Sequence, residues 1–267
     1  MKYYKILLTL IVTVITTSFV ACSDDNPEFS KKYLPVKIVS EGEISTTVIN
    51  YSYDNNNRLT KAVKTETYTI DNSQNEISLE IDYNNLNKVS RLMKTVKEES
   101  ADQKTDTIDF TYSGTNIRAD NYIATVNTEG QLLTLHKFEG NENNIKTTRF
   151  CEYDSLGNLS KSTFIEFDNP SRHISTYEYD QLNGIFKDVN IPKWFLIACL
   201  DENFNLENNS TQQTIVSADG EDFVTTRLYE YNMDGYPVSE YVYHDGYSLT
   251  VNIHPITIEY KIQREQA

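Results

Sequence analysis

Aromatic or β-branched residues alternate with polar ones along much of the chain after residue 33. In the stretch 105–112, for example, single polar residues separate Ile108, Phe110 and Tyr112. A period of two places alternate side chains on opposite faces of a β-strand, so the pattern predicts strands rather than helices. At typical strand lengths, about twelve to fourteen antiparallel strands fit into this chain.

A short motif recurs through this region and predicts a hairpin at each copy. Its clearest copy, at 51–59, reads Tyr-Ser-Tyr-Asp-Asn-Asn-Asn-Arg-Leu. The spaced Tyr residues lie on one strand face, Asp or Asn starts the turn by bonding its own backbone, and Gly or Asn takes the positive-φ position. The repeat therefore predicts an all-β fold, a single antiparallel meander of hairpins over 34–267 that forms a curved sheet or an open barrel. Related copies begin at Ile81, Phe110, Val126, Glu152, Tyr177 and Tyr229.

One apolar segment, 192–200, breaks this rhythm. It follows Pro192, contains the only tryptophan of the chain, Trp194, and is apolar from there to Leu200. Proline suits the first turn of a helix, so we expect a short helix or coil here. We interpret the segment as a plug that packs on the concave face of the sheet or closes one end of it. The alternative is an apolar lip that binds a partner or ligand.

The N-terminus has the layout of a secretory signal over residues 1–21. Lys2 and Lys5 precede the apolar stretch 6–20, which is shorter than the roughly 20 residues that span a bilayer comfortably. The signal is followed by Cys22, and the residues before this cysteine resemble a lipobox. We therefore expect Cys22 to be acylated, which supplies the two chains needed for stable anchoring, and 22–33 to be a flexible tether. The alternatives are a signal anchor and ordinary cleavage that leaves a free thiol.

The repeat and the N-terminus together carry a family resemblance. The Tyr-x-Tyr-Asp-x-x-Gly-Asn-Leu pattern resembles the YD repeats of RHS and teneurin shells. The whole mature chain is similar to a Bacteroidota lipoprotein family of unknown function with a porin-like fold, a resemblance that implies no activity. The acids in 23–25 resemble the export signal that sends such lipoproteins to the outer face of the outer membrane. The resemblance thus implies display at the cell surface, with the periplasmic face of that membrane as the alternative.

The charge balance narrows the range of partners. The precursor has 24 basic and 39 acidic residues, a net charge of −15, and loss of Lys2 and Lys5 with the signal makes it more negative still. A field of this sign repels phosphate backbones, so we expect no nucleic-acid partner. The strand faces opposite Tyr are rich in Lys, Asp, Asn and Thr, whereas an outer-membrane barrel needs an apolar row that faces lipid.

The sequence shows no recognised catalytic or metal-binding signature. No two of its four histidines, at positions 136, 173, 244 and 254, have the spacing of metal ligands, so we expect no metal, no cofactor and no catalytic residue. The stretches 54–57 and 218–222 resemble loose calcium loops but lack the full ligand spacing, and turns are the simpler interpretation. Cys151 and Cys199 are expected to be two separately buried thiols, although export also permits a disulfide between them.

The C-terminal tyrosines are the feature with binding potential. They crowd one stretch and, with Trp194, form our candidate ligand-binding set. Exposed rings beside Asn and Asp could stack on sugars, whereas the alternative is cross-strand pairing of the rings within the sheet. We therefore predict a non-enzymatic binding or scaffolding module for a glycan or an envelope protein; the alternative is a hydrolase of polysaccharide or peptide, with convergent carboxylates in a cleft. The tyrosines are Tyr229, Tyr231, Tyr236, Tyr241 and Tyr243.

Overall fold

A computed structural model describes residues 30–98, 102–140, 142–168, 171–200, 206–218, 220, 222–244 and 255–265. Residues 32–263 form one compact unit. The predicted signal peptide 1–21 and Cys22 lie outside the described residues. The first strand begins at Ser30, four residues before the predicted start of the β domain at residue 34. Within the described part of the chain, no helix is long and apolar enough to cross a membrane.

The described residues form seventeen strands and one short helix, so the prediction of about twelve to fourteen strands is wrong. The estimate from typical strand lengths left out very short strands such as β7 and β8, which are only three and four residues long. The strands are β1 (Ser30–Glu41), β2 (Ser45–Tyr53), β3 (Leu59–Tyr68), β4 (Gln74–Tyr83), β5 (Val89–Lys97), β6 (Lys104–Asp109), β7 (Thr111–Ser113), β8 (Asn116–Ala119), β9 (Tyr122–Val126), β10 (Leu132–Phe138), β11 (Ile145–Tyr153), β12 (Leu159–Glu166), β13 (Ser171–Tyr179), β14 (Ser210–Val216), β15 (Asp222–Tyr231), β16 (Pro237–His244) and β17 (Ile256–Glu265).

All seventeen strands belong to one antiparallel sheet that forms a nearly closed barrel. Consecutive strands pair along the chain, and β1 pairs with both β2 and β17, which brings the two ends of the meander together. Between β6 and β7 the ladder continues, because the Phe110 N–H donates to the carbonyl of Ser90 on β5. The predicted meander of hairpins is thus confirmed, with the barrel closed further than the expected open form.

The repeated motif forms the turns at one end of the barrel, with the geometry that its residue types predict. In the first copy, Oδ1 of Asp54 accepts the N–H groups of Asn56 at 2.8 Å and Arg58 at 3.0 Å, and Asn57 has a φ of 60°. The Asp54 carboxylate also accepts a hydrogen bond from Nε of Arg58 at 2.6 Å, so this stretch is a turn rather than an empty calcium loop. The equivalent acceptors in other copies are Asn84, Asn127, Asp154 and Asn232, and the positive-φ residues are Asn87, Gly130, Gly157 and Gly235.

The motif tyrosines link each hairpin to the one before it. Tyr83 donates from its hydroxyl to the carbonyl oxygen of Leu59, the first residue of β3, at 2.8 Å. The same bond recurs around the barrel and forms what we call the tyrosine ladder. Burial of these phenols raises their pKa, because the charged form is poorly solvated inside the sheet. The other rungs are Tyr53 to Pro35, Tyr112 to Val89, Tyr153 to Leu132, Tyr179 to Leu159 and Tyr229 to Ser210.

The predicted plug, 192–200, is part of a longer segment, 183–200, that closes the end of the barrel where the motif turns lie. From here on we call the whole segment 183–200 the plug, and this end of the barrel the plug end. It contains helix α1 (Lys193–Cys199), which Pro192 precedes, as predicted. Carbonyl groups of the positive-φ residues hold it: Asn57 accepts from the N–H of Asn190 at 2.9 Å, and Gly130 accepts from that of Trp194 at 3.2 Å. The left-handed backbone of the repeat therefore also turns carbonyl groups toward the plug.

The hydrophobic core lies between the plug and the inner face of the barrel. Phe195 and Leu196 of α1 are fully buried. On the opposite side, Tyr51 of β2 meets Phe186 edge to face at a centroid distance of 5.4 Å. Edge-to-face packing of this kind adds to the burial of the rings. The apolar plug thus takes the core-packing role that the sequence favoured.

Candidate functional site

The predicted tyrosines of β15 and β16 divide between the two faces of the barrel wall. Residues directly opposite each other in an antiparallel pair share a face. Tyr241 lies opposite Leu228, whereas Tyr229 lies opposite Glu240. Because side chains alternate along a strand, Tyr229 and Tyr231 share the inner face, and Tyr241 and Tyr243 share the outer face.

Tyr229 and Tyr231, the inner pair, both donate hydrogen bonds to groups of the barrel. Tyr229 donates to the carbonyl of Ser210 at 2.9 Å, as a rung of the ladder, and Tyr231 donates to Oδ2 of Asp180. The two rings lie 6.1 Å apart. Burial raises the pKa of Tyr231, and the Asp180 carboxylate raises it further. Both hydroxyls therefore bond to groups of the fold, and the two rings contact each other along β15 rather than across two strands.

Tyr236 is part of a cluster that joins the plug to the first strand. Its ring is buried, stacks on Tyr33 at 4.3 Å, and its hydroxyl donates to Oδ2 of Asp188 at 2.6 Å. The same Asp188 oxygen accepts the backbone N–H of Tyr33 at 2.7 Å, while the Tyr33 hydroxyl donates to Asp234. Burial raises the pKa of Tyr236, with a further contribution from Asp188. The two carboxylates thus hold the plug, β1 and the turn before β16 together.

Trp194 is almost wholly enclosed, with 3% of its surface exposed. It packs edge to face against Phe110 at 5.4 Å and Phe195 at 5.6 Å. A groove of about 340 Å³ runs beside it, between the plug and the hairpin formed by β7 and β8. The walls of this groove are mainly apolar, and Nζ of Lys88 lies 4.8 Å from the centre of the Tyr112 ring at its side. The groove is lined by Lys88, Tyr112, Ile117, Val126, Pro192 and Trp194, among others.

The outer pair of tyrosines forms an exposed cluster with Leu228, which we call the outer aromatic patch. Leu228 is 54% exposed and Tyr243 is 37% exposed. Glu230 lies on the same face, and its negative charge raises the pKa of the Tyr241 phenol, whose hydroxyl donates a hydrogen bond to this carboxylate at 3.4 Å. The patch therefore combines two aromatic rings, an aliphatic side chain and a carboxylate on a surface that faces solvent.

Leu228 was not among the binding residues predicted from the sequence. The register of the hairpin would have identified it, because even-numbered residues of β15 lie opposite odd-numbered residues of β16, which places Leu228 opposite Tyr241. A register shift between Glu230 and Tyr231 lies between these residues and the turn. Which residues of β15 and β16 pair therefore depends on a bulge that the residue types do not reveal.

Two described cysteines and two described histidines were weighed as candidates for chemistry. Cys151 and Cys199 are free, as expected, and burial raises the pKa of Cys151 to about 11 and that of Cys199 to about 12. His136 and His244 each contact a threonine hydroxyl, at 2.9 and 3.1 Å. Among the described residues no cluster of three metal-ligating side chains occurs. His254 lies outside them.

Comparisons with known proteins give structural neighbours only. No protein-family model matches the chain, and no curated protein sequence matches it. The chain is similar in structure to a porin-like protein from Bacteroides uniformis, at 15% identity and a TM-score of 0.46, over 89% of this chain and 97% of that one. It is also similar to a porin-like protein from Bacteroides vulgatus, at 13% identity and a TM-score of 0.43, over 86% of this chain and 99% of that one.

Proposed function

We propose that this chain is an outer-membrane lipoprotein that binds a glycan, without catalysis, through the outer aromatic patch. The observation that carries the proposal is the exposure of Tyr243 and Leu228 beside Tyr241 on one solvent-facing surface. Aromatic rings offer a flat apolar face to the C–H groups of a sugar ring, while their hydroxyls remain available for hydrogen bonds. Glu230 and the hydroxyl of Thr226, which lies opposite Tyr243, add polar partners at the edge of the patch.

The surroundings of the inner carboxylates favour binding over hydrolysis. A glycosidase holds two carboxyl groups on either side of the bond that it cleaves. In this barrel Asp188 and Asp234 accept hydrogen bonds from the phenols of Tyr236 and Tyr33, and Glu240 pairs with Arg227 at 3.2 Å. These acids act as acceptors that join elements of the fold, so the hydrolase remains the second candidate without a specific observation in its favour.

Affinity electrophoresis of the mature protein through gels that contain polysaccharides tests the binding proposal. We expect retardation in at least one of a set of neutral plant polysaccharides and mucin glycans, and its loss in a Tyr241→Ala/Tyr243→Ala variant. The matched control is Phe150→Ala, which removes an exposed aromatic residue from the outer face of β11. Equal retardation of the double variant and the wild type, or none for the wild type on any glycan, would reject the patch. Release of shortened sugars would instead support the hydrolase.

Protease treatment of intact cells tests the proposed location. We expect a C-terminal tag on the full chain to be removed from whole cells, because acylated Cys22 holds the folded domain on the outer surface. The Cys22→Ala version should no longer stay with the cells. Protection of the tag until the outer membrane is broken would contradict surface display and place the domain on the periplasmic side.

A further inference from the structure

Basic side chains face into the barrel just beyond the hydrophobic core. Ala62 of β3 and Leu92 of β5 are buried in the core, and each is followed two residues later by a lysine. Side chains two residues apart share a strand face, so these lysines also point inward, one level farther from the plug end. The same step leads from Leu135, Cys151 and Tyr229 to a basic residue on β10, β11 and β15. We call these five residues, Lys64, Lys94, Lys137, Arg149 and Arg227, the basic layer.

The interior at this level is open to solvent on one side and bounded by the plug on the other. Closed barrels of about sixteen to eighteen strands leave an aqueous interior unless a segment fills it. The end of α1 reaches the basic layer, because Nη1 of Arg149 donates to the carbonyl of Ile197 at 3.4 Å. Lys64, Lys94 and Lys137 are all exposed although they face inward. The plug therefore forms the floor of a water-filled space, and the basic layer lies on its wall.

The lysines of the two faces of the wall differ in their partners. On the outer face Lys61 pairs with Glu80 at 2.7 Å, and Lys161 pairs with Glu152 at 2.7 Å. Within the part of the chain that the structure describes, the three lysines of the basic layer form no ion pair. A chain with 39 acidic and 24 basic residues has an excess of carboxylates to pair with them. Inward lysines without such a partner therefore give this level of the interior a positive charge.

The inward-facing acids on neighbouring levels of β3, β6, β12 and β16 are bound to other groups. Glu240 pairs with Arg227 at 3.2 Å, and Asp106 lies 3.7 Å from a lysine of its own strand. Glu66 and Glu166 accept hydrogen bonds from serine hydroxyls, at 3.2 and 3.5 Å. Nη1 of Arg227 is buried and has no hydrogen-bond acceptor among the described residues. A buried donor of this kind is costly unless an acceptor reaches it, so Arg227 also points to an anionic ligand.

We infer that the basic layer binds an acidic oligosaccharide, whose carboxylate or sulfate groups pair with the inward lysines and with Nη1 of Arg227. Two strand spacings, roughly 10 Å, separate Lys64 on β3 from Lys94 on β5, so one ligand reaches both only if it has several anionic groups along its length. Ser175 and Thr225 face the same interior and offer hydroxyls to the sugar rings.

The net negative charge of the chain does not prevent this binding. At physiological ionic strength a charge acts over about 8 Å, so an anion inside the barrel responds mainly to the residues that line it. The guanidinium groups of Arg149 and Arg227 both act on one phenol between them: burial raises the pKa of Tyr177, and these two charges oppose that rise. The site lies on the opposite face of the wall from the outer aromatic patch, and it does not rest on the glycan binding proposed there.

Isothermal titration calorimetry of the full-length protein with tetragalacturonate and with a sulfated chondroitin tetrasaccharide tests this site. We expect at least one of the two to bind, and the affinity to fall with added salt. The Lys64→Gln/Lys94→Gln/Lys137→Gln variant should bind about tenfold more weakly, because three exposed charge attractions are lost. The two sugars distinguish a carboxylate from a sulfate as the group that is bound.

The matched control is Lys37→Gln/Lys61→Gln/Lys161→Gln, which removes the same charge from the outer face and should bind as the wild type does. Equal loss of affinity in the two triple variants would overturn the site, because it would show a response to net charge alone. Lack of binding to both sugars would overturn it too, and hexaglutamate bound as tightly as the sugars would indicate an acidic peptide instead. The Tyr241→Ala/Tyr243→Ala variant should keep its affinity for the acidic sugar, and loss of that affinity would contradict a separate inner site.

Discussion

The tyrosine ladder makes a quantitative prediction at Tyr83. Replacing Tyr83 with Phe keeps the ring, and with it the contact of the Arg58 guanidinium 4.5 Å from the ring centre, but removes the hydroxyl. That hydroxyl donates to the carbonyl of Leu59, a residue with 0% of its surface exposed. A net hydrogen bond contributes about 1 kcal/mol, and a buried acceptor that loses a partner adds to the cost. We therefore expect Tyr83→Phe to lower the free energy of unfolding by about 1.5 kcal/mol.

Urea denaturation followed by tryptophan fluorescence measures this change. Trp194 is the only tryptophan and is buried between the plug and the wall, so its emission reports loss of the closed barrel. With a dependence on urea of about 3 kcal/mol per molar, the midpoint should fall by about 0.5 M. Tyr179 forms the equivalent bond to Leu159, nine strands away. The two substitutions share no partner, so we expect the double variant to lose about 3 kcal/mol.

The control is Tyr243→Phe, because Tyr243 lies on the outer face with 37% of its surface exposed. Its unfolding free energy should stay within about 0.5 kcal/mol of the wild-type value. The reasoning would be refuted if Tyr83→Phe were as stable as the wild type, or if the control lost as much as the ladder variants. The first result would mean that the ladder bonds contribute no more than the water that replaces them. The second would mean that the loss of stability is not specific to the ladder.

Two further predictions concern pH and the turns. Burial raises the pKa of ladder phenols such as Tyr53 and Tyr153 above the ordinary value of 10.0, so the folded state favours the neutral phenol. The resulting contribution to the stability of the folded state is complete below about pH 10 and is lost as the pH rises beyond it. Alkaline titration should thus show cooperative unfolding together with the appearance of tyrosinate absorbance, and unchanged stability on the alkaline side would contradict this. Gly157→Ala should lower the free energy of unfolding by about 2 kcal/mol, because φ is +91° and a Cβ would lie 3.3 Å from Nε2 of Gln131. Gly114→Ala, where φ is +60° and the space around a Cβ is open, should lower it by about 1 kcal/mol. Equal melting temperatures for the two variants would argue against a destabilising contact with Gln131.

The sequence determined the repeating unit because each of its interactions is local. Asp54 bonds N–H groups two and four residues ahead, and Asn57 adopts the left-handed conformation that asparagine tolerates. Alternation of Tyr with polar residues likewise assigns strand faces without knowledge of the partner strand. The hairpins, the meander and the short helix after Pro192 could therefore be predicted from residue types and spacing.

Only the tertiary structure decided how the repeats meet and which tyrosines remain exposed. Closure of the barrel depends on pairing of β1 with β17, more than 200 residues apart, and no local signal specifies that contact. The division of Tyr229 from Tyr241 depends on strand register, because a shift of one residue transfers every side chain to the other face. The hydroxyl of each motif tyrosine finds its carbonyl partner some twenty residues back along the chain. Contacts of this range are fixed by packing of the whole sheet, which is why the sequence predicted the strands but left the site to the fold.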